Sequence, residues 1–256
     1  MAFRSLESVV HARFNSGTSS DFLDMYETAL DNKIREGESS TPSRTFAPSQ
    51  IRCKRVSWFR LRGVAPEQEE TVDRALNFTA QVGTSCHQNI QELLSKTLGN
   101  DWIDVATYMA SQQLKFNYAC KANGYETLIT IQDPPIKFAP DGIIFYKGEF
   151  RLLEIKTSEY SSFDKLTEPK PQHIDQIKCY CTLLNLHSAI VVYQDRQFGN
   201  LKCYEVKITD DDMQKMWEMF EDVQRCVVMN VAPEKPGDRK HCSPSYCRYY
   251  NKCKEW

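Results

Sequence analysis

The chain has 256 residues, 41% of them hydrophobic and 26% charged, with a formal net charge of −2, which is ordinary for a globular protein. No apolar run approaches the roughly 18 residues that a membrane span needs, and the near-neutral charge excludes a broadly basic DNA coat protein. Residues 1–14 lack a continuous apolar stretch, which predicts no secretory signal and a reducing, cytoplasmic compartment.

Helical patterns dominate the first half of the chain. Apolar residues at helical spacing predict one helix over residues 21–37 and a longer one over 66–98, which Gly99 and Asn100 end. Residues 38–50 are rich in Ser, Thr and Pro, so we expect an irregular connection there. A further helix is predicted from residue 101 to about residue 116.

Short β-branched and aromatic runs follow, and they predict strands. The predicted strands are 127–131, 142–146, 150–155, 189–193 and 202–208, and the predicted helices are 171–184 and 210–228. Lys147-Gly148-Glu149 is the predicted turn between the second and third strands. The order of elements therefore predicts an α/β fold, in which a small mixed sheet is flanked by helices and an irregular tail follows from residue 235.

The central hairpin carries a group of charged residues. Pro140-Asp141-Gly142 opens its first strand and Glu154-Ile155-Lys156 closes its second, so we expect both carboxylates at the same end of the sheet. Glu154 and Lys156 are two residues apart on a strand and share a face. Carboxylate oxygens suit the Mg²⁺ or Mn²⁺ of phosphodiester hydrolysis. The Ile155 carbonyl is a further candidate ligand, and Lys156 can orient or deprotonate the attacking water.

This pattern has a simpler explanation, because an Asp and a Glu-x-Lys flanking a hairpin also occur as a surface salt bridge. The apolar run over residues 150–155 argues against a surface location. It places the charged pair at a mostly buried strand end, where unpaired charge is costly. The sequence therefore favours a catalytic interpretation of Asp141, Glu154 and Lys156.

Four motifs occur in the order found in the RecB-like branch of the PD-(D/E)XK nucleases, and the chain resembles that branch. They are Gly83-Thr84-Ser85-Cys86-His87, Pro140-Asp141, Glu154-Ile155-Lys156 and Gln176-Ile177-Lys178-Cys179-Tyr180. The resemblance implies a restriction-endonuclease-like fold, with a mixed central sheet flanked by helices. It also implies divalent-metal hydrolysis of DNA.

The resemblance further implies roles for residues on two helices. His87 would bind the metal ion together with Asp141, Glu154 and the Ile155 carbonyl, and Gly83 would leave room for the DNA backbone. Gln176 and Tyr180, one turn apart on one helical face, would be catalytic residues that contact a phosphate or the metal-bound water. A lone His or Gln-x3-Tyr is more often structural, so His87 as a satisfied helix histidine is the alternative.

The ten cysteines fall into two groups. Six lie scattered between residues 86 and 226 and are expected to be small buried hydrophobic side chains. Cys242, Cys247 and Cys253 crowd into the tail, and Cys53 lies far upstream. One cysteine before a nuclease core and three after it resemble the iron–sulfur nucleases, which include the CRISPR-associated RecB-like exonucleases and the AddB nuclease domain.

That resemblance implies a [4Fe–4S] cluster on Cys53, Cys242, Cys247 and Cys253, in a helical cap that joins the two ends of the chain. The spacing departs from those families, because four residues separate Cys242 from Cys247, where two are usual. His241 offers an alternative, a Cys₃His zinc site with the last three cysteines. The implied organisation is a helical segment and linker over residues 1–50, a nuclease core with a helical insertion over 51–234, and a cysteine-rich tail over 235–256.

Two basic and aromatic patches are candidates for nucleic-acid contact, one over residues 52–62 and one over 239–254. Arginine with aromatic residues suits phosphate contact and base stacking, although a solvated charged face explains each patch equally well. Arg55, Arg60 and His173 are the predicted DNA contacts.

The expected function is a metal-dependent deoxyribonuclease, specifically an exonuclease acting on single-stranded DNA or on free ends. The alternatives are a structure-specific endonuclease and a non-catalytic DNA-binding subunit that keeps the fold. The complete set of candidate catalytic residues argues against the second alternative. No membrane partner is expected.

Overall fold

The structure is a computed structural model that describes residues 20–37, 43–67, 73–236, 242–244 and 246–256. The chain forms two compact units, one of residues 1–39 and 69–77 and the other of residues 40–68 and 78–256. Within the described residues, no helix combines the length and the apolar character that a bilayer crossing requires. The division inferred from the sequence, with boundaries at residues 50 and 234, stays a prediction.

The first unit contains helix α1 (Ser20–Gly37), which confirms the predicted helix over residues 21–37. Glu27 and Asp31 lie one turn apart on α1, and both bind the guanidinium of Arg74, at 2.8 and 2.6 Å. Phe22 and Tyr26 are exposed in the structure. The apolar stripe of this helix therefore does not form a buried core.

The second unit contains most of the secondary structure. Helix α2 (Lys54–Leu61) precedes α3 (Arg74–Leu98), which begins in the first unit. The remaining elements are β1 (Trp102–Ile103), α4 (Val105–Ser111), β2 (Asn117–Cys120), β3 (Thr127–Ile131), β4 (Ile136–Phe138), β5 (Gly142–Tyr146), β6 (Glu149–Ser158), α5 (Tyr160–Asp164), α6 (Pro171–Leu184), β7 (Ser188–Asp195), β8 (Leu201–Lys207), α7 (Asp210–Val228) and α8 (Tyr250–Glu255).

The central sheet has five strands in the order β1-β5-β6-β7-β8. Only the β6–β7 pair is parallel, and the other three pairs are antiparallel. Helices α5 and α6 lie in the connection between the two parallel strands, as such a crossover requires. A second, antiparallel sheet has the order β2-β3-β4.

Both faces of the central sheet are covered by helices. On one face, Leu153 and Ile155 of β6 pack with Ile90 and Leu94 of α3. On the other face, Leu152 of β6 belongs to the large core that includes buried residues of α2, α6 and α7. The predicted fold class, a mixed central sheet flanked by helices, is confirmed.

The hairpin of β5 and β6 forms as predicted, with Gly142 opposite Leu153 and Tyr146 opposite Glu149. Lys147 and Gly148 form its two-residue turn with φ values of 53° and 84°, the left-handed conformation that such turns need. At the other end of β5, a Cβ atom on Gly142 would lie 2.8 Å from the ring of Trp102. Gly142 therefore lets β1 approach the strand that follows Asp141.

Two helices match their predicted bounds. Helix α6 begins with Pro171, whose fixed φ suits a first turn, and ends at Asn185, which is left-handed with φ 54°. Helix α7 begins after Thr209, which forms a reciprocal capping box with Asp212. Helix α6 places its residues beside the end of β6, because Lys156 of β6 contacts Gln176 of α6.

Several parts of the chain differ from the sequence prediction. The helix predicted over residues 66–98 is observed from Arg74 to Leu98; residues 66–67 are not helical, and residues 68–72 lie outside the described residues. The predicted helix over residues 101–116 is wrong at its start, where β1 pairs with β5, and α4 covers only its middle. Helices α2 and α5 and the short strands β2 and β4 were not predicted. The tail, expected to be irregular, ends in helix α8 and packs on α2, with the Tyr249 ring 5.2 Å from that of Phe59.

Candidate active site and cysteine cluster

The hairpin brings the two predicted carboxylates together at one end of the sheet. Gly142 pairs with Leu153, so Asp141 and Glu154 are the next residues on the two strands. Both are buried, with 7% and 2% of their surfaces exposed. Asp141 Oδ2 accepts a hydrogen bond of 2.6 Å from the backbone N–H of Ile155. That bond fixes the Asp141 side chain beside the peptide bond between Glu154 and Ile155.

Glu154 has one satisfied and one unsatisfied oxygen. Its Oε1 accepts from the Lys156 ammonium at 2.5 Å, whereas the buried Oε2 has no hydrogen-bond partner among the described residues. Burial, and secondly the charge of Asp141, raises the pKa of Glu154 to about 7, although Lys156 opposes the shift. The site therefore holds a buried carboxylate with an open acceptor, which favours a ligand that is a cation or a donor.

Lys156 connects the carboxylates to helix α6. Its ammonium donates to Gln176 Oε1 at 3.0 Å, and Gln176 Nε2 donates to the Tyr180 hydroxyl at 2.9 Å. Burial, followed by the charge of Glu154, raises the pKa of Tyr180 well above its ordinary value, so the hydroxyl stays protonated at neutral pH. The structure thus brings Glu154, Lys156, Gln176 and Tyr180 into one hydrogen-bonded chain.

Helix α3 contributes His87, which contacts Asp141. His87 Nδ1 lies 3.1 Å from Asp141 Oδ1. Burial lowers the pKa of His87, but the hydrogen bond and the charge of Asp141 outweigh it, and the net shift is upward. The predicted metal ligand therefore lies against a predicted carboxylate ligand. A Cβ atom on Gly83, one turn earlier, would lie 3.4 Å from Thr157 Oγ1, so the glycine faces the end of β6.

Gln91 is a site residue that the sequence prediction missed. It is fully buried, and its Nε2 donates to the backbone carbonyl of Asp141 at 2.7 Å. Its Oε1 is buried and has no hydrogen-bond partner within the part of the chain that the structure describes. Gln91 lies four residues after His87 on α3, so both side chains share a helical face. That spacing is the signal that could have identified it.

The donor set suits a hard divalent cation. Asp141 and Glu154 supply carboxylate oxygens, and the open Glu154 Oε2 is the kind of acceptor that such an ion satisfies. Among the residues that the structure describes, no three His, Cys, Asp or Glu side chains lie close enough together to hold one metal ion. Instead, Lys156 binds Glu154, and His87 binds Asp141. A cation would thus compete with these two contacts.

The four predicted cluster cysteines line the same two cavities, but among the described residues no three of them lie close enough together to hold one metal ion. Cys53 occupies the N-cap position of α2. Burial, and to a lesser degree repulsion from Cys242 and Cys253, raises the pKa of its thiol. Burial, and to a lesser degree repulsion from Cys53, Cys253 and Cys242, raises the pKa of Cys247. A cavity of 340 Å³ touches Cys53, Cys242 and Cys247, and one of 210 Å³ touches Cys242, Cys247 and Cys253.

The alternative zinc ligand, His241, lies outside the described residues. Zn–S bonds of about 2.3 Å would require zinc-binding sulfurs to lie about 3.8 Å apart. A four-iron cluster spreads its thiolates over a wider cage. A zinc site therefore requires the sulfurs of Cys242, Cys247 and Cys253 to lie closer together than a four-iron cluster does.

The predicted DNA contacts occupy three different environments. Arg55 is buried, and its guanidinium donates to the backbone carbonyls of Pro233 and Cys253. Arg55 and His173 stay predicted DNA contacts. The His173 Nδ1 lies 2.7 Å from the Tyr193 hydroxyl, and burial lowers the pKa of His173 to about 3, so the ring carries no charge at neutral pH. Arg60 lines the 340 Å³ cavity and binds Ser43 at 2.7 Å.

No protein-family model and no curated protein matches the chain. Among solved structures, that of SSO0001 is 18% identical with a TM-score of 0.47, covering 90% of this chain and 96% of that chain. An alkaline exonuclease (LHK-Exo) from Laribacter hongkongensis is 14% identical with a TM-score of 0.44, covering 74% and 90%. The structure of LHK-Exo in complex with dAMP is 15% identical with a TM-score of 0.44, covering 73% of this chain and 89% of that chain. Likenesses this weak do not assign an activity to the chain.

Proposed function

We propose that this protein is a divalent-metal-dependent deoxyribonuclease whose catalytic residues are Asp141, Glu154 and Lys156. The observation that carries the proposal is the buried Glu154 carboxylate. It lies beside Asp141 and binds Lys156 through one oxygen, and its other oxygen has no partner among the residues in the described ranges. A buried acceptor without a hydrogen bond is uncommon in native proteins and requires an explanation. Two carboxylates and a lysine at one strand end meet the needs of phosphodiester hydrolysis.

Mg²⁺ or Mn²⁺ is the proposed ion, with Asp141, Glu154, the Ile155 carbonyl and His87 as its ligands. When bound, such an ion neutralises charge on the phosphate and makes water a stronger nucleophile. Asp141 already accepts from the Ile155 N–H, and this bond would keep its carboxylate oriented. His87 would release its contact with Asp141 to serve as a ligand.

The other polar residues have roles that follow from their protonation states. Lys156 carries a positive charge beside Glu154 and can orient water or stabilise negative charge on the phosphate. The protonated hydroxyl of Tyr180 and the amide of Gln176 can donate to phosphate oxygens. Because Gln176 touches both Lys156 and Tyr180, it would hold the two donors in a fixed relation.

The proposed substrate is DNA, as single strands or free ends. Helix α6 lines the 340 Å³ cavity with Gln172 and reaches Lys156 with Gln176. Four residues of helix advance about 6 Å. The cavity also contains Arg60 from α2 and Arg248 from the tail. Arginines next to the catalytic end of α6 support binding of a polyanion there.

A [4Fe–4S] cluster on Cys53, Cys242, Cys247 and Cys253 is the second part of the proposal. Its support is the convergence of one cysteine from the start of α2 with three from the tail, around two cavities. Thiolates are the usual ligands of such clusters. The cluster would join the tail to α2, next to the stacked rings of Phe59 and Tyr249.

The test is anaerobic purification, iron and zinc analysis, and incubation with end-labelled DNA in the presence of Mn²⁺ or Mg²⁺. We expect metal-dependent release of nucleotides or short fragments from linear single strands. Circular single strands should resist the enzyme, and their cleavage would indicate an endonuclease. If the iron-loaded protein binds DNA but cleaves no substrate with either ion, it is a binding subunit and the proposal is overturned.

A further inference from the structure

Two exposed aromatic rings meet just beyond the end of β6, the strand that carries Lys156. Tyr160 begins α5, and Phe198 lies in the turn between β7 and β8. Their ring centroids are 5.0 Å apart at an interplanar angle of 88°. Tyr160 is 40% exposed and Phe198 is 64% exposed. Isolated exposed apolar side chains are common, but these two come from different elements and form one exposed aromatic pair. Because the rings meet edge to face, they do not cover each other as stacked rings would.

The turn that presents Phe198 is held by the buried carboxylate of Asp195. This carboxylate accepts hydrogen bonds from the backbone N–H groups of Gln197, Phe198 and Asn200, at 2.9, 2.6 and 2.7 Å. Gly199 completes the turn with a φ of 75°, which glycine adopts without strain. The backbone of Phe198 is therefore fixed while its ring remains in solvent, so a partner that binds the ring has little backbone to order.

The aromatic pair lies at the same end of the sheet as the candidate catalytic lysine. Ser158, two residues after Lys156 on β6, pairs with Asp195 of β7, and its carbonyl accepts from the Arg196 N–H at 2.9 Å. Four residues separate Lys156 from Tyr160, so their Cα atoms lie at most ~14 Å apart. A strand of nucleic acid at the active site can therefore reach the pair.

The same turn directs a positive charge toward helix α3. Burial raises the pKa of the Cys86 thiol, and the charge of Arg196 opposes that rise, so the guanidinium lies within electrostatic range of the residue before His87. Arg196 also forms an ion pair of 3.6 Å with the exposed carboxylate of Glu159. Exposed pairs of this kind contribute little stability, so Arg196 can exchange this carboxylate for a phosphate. A cation beside exposed aromatic rings suits the backbone and the bases of a single strand.

We propose that Tyr160 and Phe198 form a stacking platform for an unpaired base of the DNA strand that enters the active site. This inference rests on the proposed deoxyribonuclease function and names the feature that the enzyme would recognise, a base whose face is free. Every base has such a face, so the platform would bind single strands without sequence preference. In a duplex the neighbouring base pairs cover the faces. The span from Tyr160 to Lys156 corresponds to at most about four nucleotides at roughly 3.4 Å each.

The test is a cycle that removes the ring, the base, or both. Fluorescence anisotropy measures binding of a labelled oligothymidylate of about 12 nucleotides, a length within the site sizes of single-strand-binding folds. A second strand of the same length carries the same phosphates but no bases. Ca²⁺ replaces Mg²⁺ and Mn²⁺, and the strands are checked for cleavage after each titration. The variants are Phe198→Ala and Tyr160→Ala.

Tyr146→Ala is the matched control. Tyr146 is also exposed and also lies near a cation, with the Lys147 ammonium 5.3 Å from its ring centroid. It pairs with Glu149 at the turn of the hairpin, whereas Asp141 precedes the opposite end of the same strand. Its removal therefore deletes an exposed ring of similar size that is distant from the candidate active site.

Phe198→Ala should weaken binding of the intact strand by roughly tenfold, a loss typical of one base stacked on an aromatic ring. It should leave binding of the base-free strand unchanged, because the ring and the base contribute to the same contact and their losses do not add. Tyr160→Ala should show the same pattern. Tyr146→Ala should bind both strands as the wild type does.

The inference is overturned if the wild type binds the intact strand and both platform variants match Tyr146→Ala. It is also overturned if Phe198→Ala weakens binding of both strands by the same factor, because the ring would then not act through a base. If Tyr160→Ala does not fold, Phe198→Ala decides alone, since its exposed ring contributes little to the core. A wild type that neither binds nor cleaves DNA refutes the deoxyribonuclease proposal and this inference with it, whereas the first two outcomes refute the platform only.

Discussion

Lys156 and Gln176 meet where strand β6 ends beside helix α6, with Nζ of the lysine 3.0 Å from Oε1 of the glutamine. The lysine comes from a strand that is fixed by hydrogen bonds on both sides, and the glutamine comes from the helix that connects β6 to β7. The crossover therefore does more than link two parallel strands, since it presents a second polar side chain to the candidate catalytic lysine.

Lys156→Ala should abolish cleavage, because it removes the only ammonium that contacts both Glu154 and Gln176 among the described residues. A rate loss of about 10²-fold or more is expected for such a group. Lys178→Ala is the control. Lys178 lies on α6, the helix that carries Gln176, but it binds Asp212 of α7. Rates on end-labelled single strands measure the effect. Cleavage by Lys156→Ala at nearly the wild-type rate would remove this lysine from the catalytic set.

His87→Ala should reduce activity strongly and raise the Mn²⁺ concentration needed for half-maximal rate. Imidazole is a softer ligand than carboxylate and favours Mn²⁺ over Mg²⁺, so wild-type activity should be higher with Mn²⁺. Calorimetric titration with each ion checks the binding. His87→Ala would instead reveal a structural histidine if the melting temperature fell while metal dependence stayed the same.

Single Cys→Ala changes at Cys53, Cys242, Cys247 and Cys253 should each abolish the brown colour of anaerobically purified protein. They should also lower the melting temperature, because the cluster would join the tail to α2. Cys203 is exposed, and Cys203→Ala is the control that should keep its iron. One zinc per chain in colourless protein, with Cys53→Ala harmless, would favour the Cys₃His site.

Glu154 should make the metal-free protein less stable as pH rises. Its pKa in the folded state is raised from 4.5 to about 7, so the folded protein holds a proton that the unfolded chain releases. Its contribution to the free energy of unfolding is present in full below pH 4.5 and is lost as pH rises through about 7. The loss is at most about 1.4 kcal/mol per pH unit.

Glu154→Gln should remove this dependence, and melting curves in EDTA between pH 4 and pH 8 would measure it as roughly 1.4 kcal/mol per unit at most. Mg²⁺ or Mn²⁺ should raise the melting temperature of the wild type more at alkaline than at acidic pH, because the ion binds the deprotonated carboxylate. A stabilisation by metal that is equal in Glu154→Gln would contradict the assignment of Glu154 as a ligand.

His173 should have the opposite effect on acidification. Burial lowers its pKa from 6.5 to about 3, so the stability that it contributes is present above pH 6.5 and is lost as pH falls toward 3. His173→Gln, which can still bind the Tyr193 hydroxyl, should flatten the acid side of the stability profile. His187→Gln is the control at an exposed histidine. Chemical denaturation at several pH values measures the free energy of unfolding of both variants. Identical pH profiles for the two variants would exclude His173 as the cause of the stability loss in acid.

The sequence was sufficient to predict the parts of the fold that local patterns determine. Helix α6 has a proline at its start and α7 has a capping box, and both match their predicted bounds. The hairpin of β5 and β6 has Lys147-Gly148 as its turn. These signals lie within a few residues of the element that they define, so no tertiary contact was needed to recognise them.

The remaining elements depend on partners that are distant in the sequence. Trp102 and Ile103 form a strand because Ile144 and Ile143 of β5 pair with them, and their local pattern resembles a helix start. Arg55 was predicted to contact DNA because it lies in a basic run, but its acceptors are up to 201 residues away. Gln91 has no charge and belongs to none of the four motifs; its spacing from His87 places it on the same helical face, but its bond to the Asp141 carbonyl depends on the fold.

The packing of the tail on α2 also fixes the order in which the protein can mature. Cys53 leaves the ribosome 200 residues before Cys253, an interval of about 10–40 s at 5–20 residues per second. Throughout that interval Trp58 and Phe59, which are fully buried in the final structure, lack their partners Trp256 and Tyr249. All four ligands of the proposed cluster would therefore be present only after Cys253 has been made, and Trp58 and Phe59 stay without these two aromatic partners until the tail has been made.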